Sequence, residues 1–166
     1  MAACVLGSIV ASAVEPGGLT RAIRLEMPAH FEVAVVVPDY AVPTSEARAV
    51  LPECYAAADV VFNVQRAALL IAALATGDAS VFPTALDDRL HQPFRAQLVP
   101  GLTEILRLRK PGLLGCALSG AGPGVLVFYE RGAESVCELV RNIFAMNGCT
   151  TEMIAGGVSR KGYEFI

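Results

Sequence analysis

The sequence predicts an α+β domain, an antiparallel sheet with helices on one face. Short apolar, β-branched runs at Phe31–Val37, Leu113–Leu118 and Val125–Tyr129 read as buried strands. Apolar residues at helical spacing over Asp59–Thr76 and Ala133–Met146 read as helices. Strands and helices mix without strict strand–helix alternation, and the last elements run strand, strand, helix, strand. That order is the ferredoxin-like sandwich.

In chain order, Met1–Val14 is largely apolar and reads as a buried helix, closed by Glu15-Pro16-Gly17-Gly18. Leu19–Met27 alternates and reads as a strand, followed by the stronger strand Phe31–Val37, which ends at Pro38. After the turn Pro38-Asp39-Tyr40, Thr44–Leu51 is helical and Pro52 stops it. On Asp59–Thr76, the residues Val60, Val61, Val64, Ala67, Ala68, Ile71 and Leu74 share one face, and Gly77 supplies the stop. Ser80–Leu90 reads as a short helix with a break at Pro93, and Val99–Leu108 as another that lasts until Pro111-Gly112. Ala133–Met146 places Val136, Leu139, Val140, Ile143 and Phe144 on one face and closes at Asn147-Gly148. Cys149–Ile154 and Gly162–Ile166 complete the strands.

The 166 residues suit one domain with a sizeable core. The chain is 54% apolar and 17% charged, has no Trp, and so relies on aliphatic packing. Net charge is −3 and the 13 Lys and Arg are scattered, which argues against a nucleic-acid surface. So apolar a chain is expected to have part of its surface covered by more protein, either a partner subunit or a further domain. The 5 Cys (Cys4, Cys54, Cys116, Cys137, Cys149) form no Cys-x-x-Cys pair, and neither His30 nor His91 clusters with them, so no metal site is expected. Reduced, mostly buried thiols of a cytoplasmic protein are the expectation. Ala11-Ser12-Ala13 superficially matches a signal-peptide cleavage site, but the positive leading region of such signals is missing. The longest uninterrupted apolar run, Ala67–Ala75, is too short to cross a bilayer.

Three segments carry possible chemistry. The turn Leu118-Ser119-Gly120-Ala121-Gly122-Pro123-Gly124 joins two strands with residues that keep no side chain between backbone and ligand. Its N–H groups can cradle an anion, or it is a plain tight turn. Thr44 and Arg48 lie one helical turn apart, where a hydroxyl and a guanidinium can hold a small carboxylate. The plainer alternative makes Thr44 an N-cap and Arg48 a solvated charge. The third segment, Asp87-Asp88-Arg89-Leu90-His91-Gln92-Pro93-Phe94-Arg95, packs four charged groups and a His into nine positions. Asp87 and Asp88 are neighbours and do not face each other on a helix. His91 reads as a structural histidine, and Arg95 as a carboxylate or phosphate partner.

Together these segments resemble the C-terminal half of the homoserine kinases, members of the galactokinase, homoserine kinase, mevalonate kinase and phosphomevalonate kinase (GHMP) superfamily. The matching stretches are the strand into Val37-Pro38-Asp39, then Pro43-Thr44-Ser45-Glu46-Ala47-Arg48 with Leu51-Pro52, then Leu90-His91-Gln92-Pro93-Phe94-Arg95. The fourth is the superfamily's third motif, Leu118-Ser119-Gly120-Ala121-Gly122-Pro123. That motif indicates a small-molecule kinase, and the others select homoserine kinase within the superfamily. The resemblance implies that Thr44, Arg48 and Arg95 bind the amino-acid end of L-homoserine, with the two arginines at its carboxylate. It also implies that Ser119, Gly120, Ala121, Gly122 and Pro123 lie beside the nucleotide-phosphate loop. Gly124 stands where the family usually has Ser or Thr.

The family's Pro-x-x-x-Gly-Leu-Gly-Ser-Ser-Ala phosphate loop matches nothing here, nor does its His-Pro-Asp-Asn stretch. The expected organisation is therefore residues 1–30 as the tail of an absent N-terminal nucleotide-binding domain and residues 31–166 as the C-terminal kinase domain. ATP and Mg²⁺ are expected mainly on that absent half, and no catalytic residue is expected in this chain. The resemblance implies ATP-dependent phosphorylation of L-homoserine to O-phospho-L-homoserine, on the route to threonine, by a cytoplasmic enzyme that leans towards a homodimer. The chain alone is expected to be inactive. Alternatives are another GHMP kinase acting on an isoprenoid or sugar alcohol, a non-catalytic ferredoxin-like module that binds a ligand or mediates assembly, and a product without function.

Overall fold

Strand β3 (Phe31–Pro38) is apolar on both sides, the pattern of a strand with neighbours on each edge. It pairs with β5 (Val125–Glu130) on one edge and β6 (Thr151–Ala155) on the other. With β4 (Leu113–Leu118) beside β5, the sheet order is β4–β5–β3–β6 and every pairing is antiparallel. This computed structural model describes residues 5–156, 158–159 and 161–162.

Register sets the core. Val36 lies opposite Val125 and Ala34 opposite Val127, so four small buried side chains make one flat apolar face. Helix α6 (Val136–Met146) covers that face with Val136, Val140 and Phe144, spaced four apart. Leu102 and Ile105 of the short helix α5 (Leu102–Leu106) join the same cluster. The sequence-predicted order of strand, strand, helix, strand is thus realised in β4, β5, α6 and β6. A smaller cluster lies on the opposite side of the sheet, since Phe128 points away from its neighbour Val127. There the Phe82 ring sits 5.1 Å from Phe31 and 5.8 Å from Phe128, in edge-on or tilted contact.

The N-terminal region differs from its prediction. Instead of a buried helix over Met1–Val14, the chain forms strand β1 (Ile9–Val14), paired with β2 (Thr20–Leu25) in a separate two-stranded sheet. Gly7 and Ser8 both have positive φ, which breaks any helix there, and Glu15 and Leu19 close the hairpin around Gly17 and Gly18. An apolar run with small residues does not by itself distinguish a strand from a helix. Residues 1–4 lie outside the described residues, as do residues 163–166 of the predicted last strand, whose Gly162 is in no strand.

Helix α1 (Thr44–Ala49) and helix α2 (Ala57–Thr76) form where predicted, and α2 ends at Gly77 with φ +74°. The apolar stripe of α2 is not buried as a whole, however. Only Ala73 and Leu74 are, while Val60, Val61 and Val64 remain exposed. The predicted helix over Ser80–Leu90 shrinks to one tight turn and α3 (Phe82–Ala85). Pro93 is no break. It sits in the first turn of α4 (Gln92–Arg95), where its missing N–H costs nothing.

Candidate functional site

Helix α1 is fixed by Ala47, which is fully buried, and this turns Thr44 and Arg48 outward on one side. Pro43 occupies the N-cap position and Thr44 is the first helical residue, with no side-chain cap bond; the capping role for Thr44 is therefore ruled out. Thr44 and Arg48 instead line a cavity of about 560 Å³. Arg95 lines it from α4, and Gly120 and Ala121 line it from the glycine turn. The structure thus brings all three sequence-predicted segments to one pocket.

The two arginines are held differently. Arg95 Nε donates to the Ala47 carbonyl at 3.1 Å, and its terminal nitrogen donates to the Gly120 carbonyl at 3.0 Å. Residues 47, 95 and 120 are thereby tied together by one planar guanidinium, whose separate nitrogens each reach one carbonyl. The exposed Arg48 side chain lines the pocket and has no hydrogen-bond or ion-pair partner among the described residues, so its fork is uncommitted. A carboxylate placed there would meet two parallel donors.

In the glycine turn, Gly120 has φ +59° and Gly122 φ +89°, a backbone region closed to most other residues. A Cβ on Gly120 would meet nothing within 4 Å, so its left-handed conformation and not crowding calls for glycine. The turn is closed by Ser119 N–H to Gly124 O (2.8 Å) and Gly122 N–H to Ser119 O (3.0 Å). Ser119, Gly122 and Pro123 shape this turn and do not line the pocket, unlike Gly120 and Ala121. A Cβ at Gly124 would sit 3.5 Å from Val35, ordinary contact, so the serine common in the resembling family would fit here.

Sequence reasoning passed over Asp88 and Gln92, which line the pocket with His91. The signal available was an Asp a few residues before a Pro-containing first turn, a helix-start pattern. Buried Gln92 donates to Leu86 O (3.2 Å) and accepts from Leu118 N–H (2.8 Å), joining this segment to the strand that feeds the glycine turn. A second cavity of about 360 Å³ lies behind the segment and reaches Cys116. Burial pushes the Cys116 thiol up to about 12, with the neighbouring Cys137 adding to the rise, so it is a packing group and not a nucleophile. Cys137 is also buried, Cys149 partly buried and Cys54 exposed, all as free thiols, while Cys4 lies outside the described residues. Among the described residues no group of three or more His, Cys, Asp or Glu is placed to hold a metal ion.

Residues 70–144 match the family described as GHMP kinases C terminal. The chain is thus similar, over that stretch, to the C-terminal part of the GHMP kinases. Among curated relatives, the homoserine kinase of Solibacter usitatus is 64% identical over 164 residues, covering 99% of this chain and 54% of that protein. The homoserine kinase of Deinococcus radiodurans is 44% identical over 151 residues, covering 89% of this chain and 49% of that protein. The chain spans about half the length of the curated relatives it matches. The crystal structure of a homoserine kinase from Cytophaga hutchinsonii superposes with a TM-score of 0.88, at 24% identity, over 99% of this chain and 53% of that one. That likeness establishes a shared fold.

Proposed function

We propose that this chain forms the substrate-binding wall of an ATP-dependent homoserine kinase, which transfers the γ-phosphoryl group to the side-chain hydroxyl of L-homoserine. The carrying observation is the uncommitted Arg48 fork beside Thr44 and Arg95 in one pocket. In this reading Arg48 takes the substrate carboxylate, Thr44 adds a hydroxyl, and Arg95 holds the wall together while offering its remaining N–H donors. The Ser119–Pro123 turn lies beside the nucleotide phosphates. Residues 1–30 are the tail of a nucleotide-binding half and residues 31–166 the C-terminal domain. ATP and Mg²⁺ are held mainly by that half, which covers the apolar stripe left open on α2. Phosphoryl transfer asks chiefly for positioning and charge stabilisation, so a wall that orients the acceptor is a real share of the catalysis. The enzyme works in the cytoplasm, as a homodimer, in threonine biosynthesis.

Kinetics of the enzyme containing this chain test the reading. Arg48→Ala is expected to raise KM for homoserine roughly 10- to 100-fold, the worth of one lost charge-assisted contact, and to leave KM for ATP within about twofold. An unchanged homoserine KM removes Arg48 from the site. The chain alone is expected to release no ADP in response to homoserine, and such release would overturn the division of labour.

A further inference from the structure

The Asp88 carboxylate lines the pocket, yet it has no acceptor position left for a ligand. An ionised carboxylate offers about four such positions. One Asp88 oxygen takes the Asn63 side-chain amide and the Leu90 N–H (2.9 Å). The other takes the His91 N–H (2.8 Å) and the Gln92 N–H. The His91 ring nitrogen stands 3.7 Å away as well. Burial works to raise the Asp88 pKa, but these donors outweigh it and hold the carboxyl below its ordinary value. The group is therefore saturated and charged, and a substrate ammonium would have to displace a bond that the fold already uses.

Its partners come from two places. Three are consecutive backbone N–H groups of the turn that carries His91 and leads to Arg95; the fourth, Asn63, is on α2. The Asn63 oxygen in turn accepts from the Arg89 N–H at 2.9 Å, so the two side chains fasten the turn to the helix from both sides. The turn is the wall between the cavities of about 560 Å³ and 360 Å³, with open space on two sides, and Asp88 and Gln92 line both. Where both sides of a segment are open, directed hydrogen bonds and not close packing fix its place.

We infer that Asp88 is a positioning residue of the substrate pocket: by clamping the turn at residues 90–92 to Asn63, it sets where Arg95 stands relative to Arg48. This rests on the proposal that the pocket takes a substrate carboxylate. In the enzyme containing this chain, Asp88→Asn is expected to raise homoserine KM about tenfold while ATP KM stays within about twofold, a split that general loss of structure would not give. In an Arg95→Ala background the same change is expected to add less than about twofold, because its effect passes through Arg95. Asn63→Ala keeps the carboxylate and its three backbone bonds and removes the Asn63 contacts to Asp88 and to the Arg89 N–H. It is expected to raise homoserine KM about threefold and serves where Asp88→Asn does not fold. If Arg48→Ala weakens homoserine binding but neither Asp88→Asn nor Asn63→Ala does, the clamp is overturned and the substrate reading stands. Equal rises in homoserine and ATP KM, or full additivity with Arg95→Ala, also overturn it. If Arg48→Ala itself changes nothing, the substrate reading falls and the clamp's purpose falls with it.

Discussion

On α6, Val136, Val140 and Phe144 are 6%, 0% and 0% exposed; on α2, Val60, Val61 and Val64 are 41%, 54% and 63% exposed. Both helices carry an apolar stripe at the same spacing, and their different fates come from what the rest of the chain puts opposite them. The stripe of α6 meets β3, β5 and the buried side of α5. For α2, the described residues bury only Ala73 and Leu74, with Leu70 packed partly buried against the same small cluster, all in its C-terminal half. Its first half is held by polar contacts: Asn63 to Asp88, Asp59 to Arg89 at 3.1 Å, and the Arg66 and Arg89 guanidiniums over the Phe62 ring. A helical stripe shows that a face seeks cover, and only the tertiary structure shows whether this chain provides it.

The sharpest test of that contrast is Phe144→Ala, which empties the centre of the main cluster and is expected to cost about 3–5 kcal/mol in urea unfolding of the chain. A loss under about 1 kcal/mol would put α6 in the same class as exposed α2. Next comes acid. Asp88 has a folded-state pKa below the ordinary 3.8, so its contribution is fully present above 3.8 and is lost as pH falls through the lower folded value. Unfolding free energy should therefore drop below about pH 4 in the native chain and drop less in Asp88→Asn. Equal acid sensitivity of the two would mean that the Asp88 carboxylate, and its bond to α2 with it, contributes nothing to stability. The smallest effect is expected from Val64→Ala, within about 0.5 kcal/mol by the same urea measurement. A cost near that of a core valine would show that the stripe is covered in the isolated chain.

Much of the sheet was legible because β3, β4 and β5 are largely apolar runs with Pro or Gly close by, and the C-terminal stop of α2 was legible because a left-handed cap wants glycine. The N-terminal hairpin was not. Ile9–Val14 mixes β-branched and small residues, and the deciding feature, positive φ at Ser8, has no sequence signal. Pro93 misled because its meaning depends on position within a helix turn, which α4 reveals only in place. At the pocket, Thr44, Arg48, Arg95, Gly120 and Ala121 stood out by residue type and spacing, and only the resemblance to the homoserine kinases joined them into one site; all five line the pocket. Asp88 was hidden because its bonds go to backbone N–H groups and to Asn63, 25 residues away.

The β1–β2 hairpin has a consequence for handling the chain. Ile23 and Val14 are exposed and the pairing is two strands only, a unit that is marginal by itself in water. Segments that open locally are the ones proteases cut first. Brief trypsin treatment should therefore cleave after Arg21 or Arg24 in β2 well before Arg141 in α6, leaving a resistant fragment that begins just ahead of β3 and still contains the whole pocket.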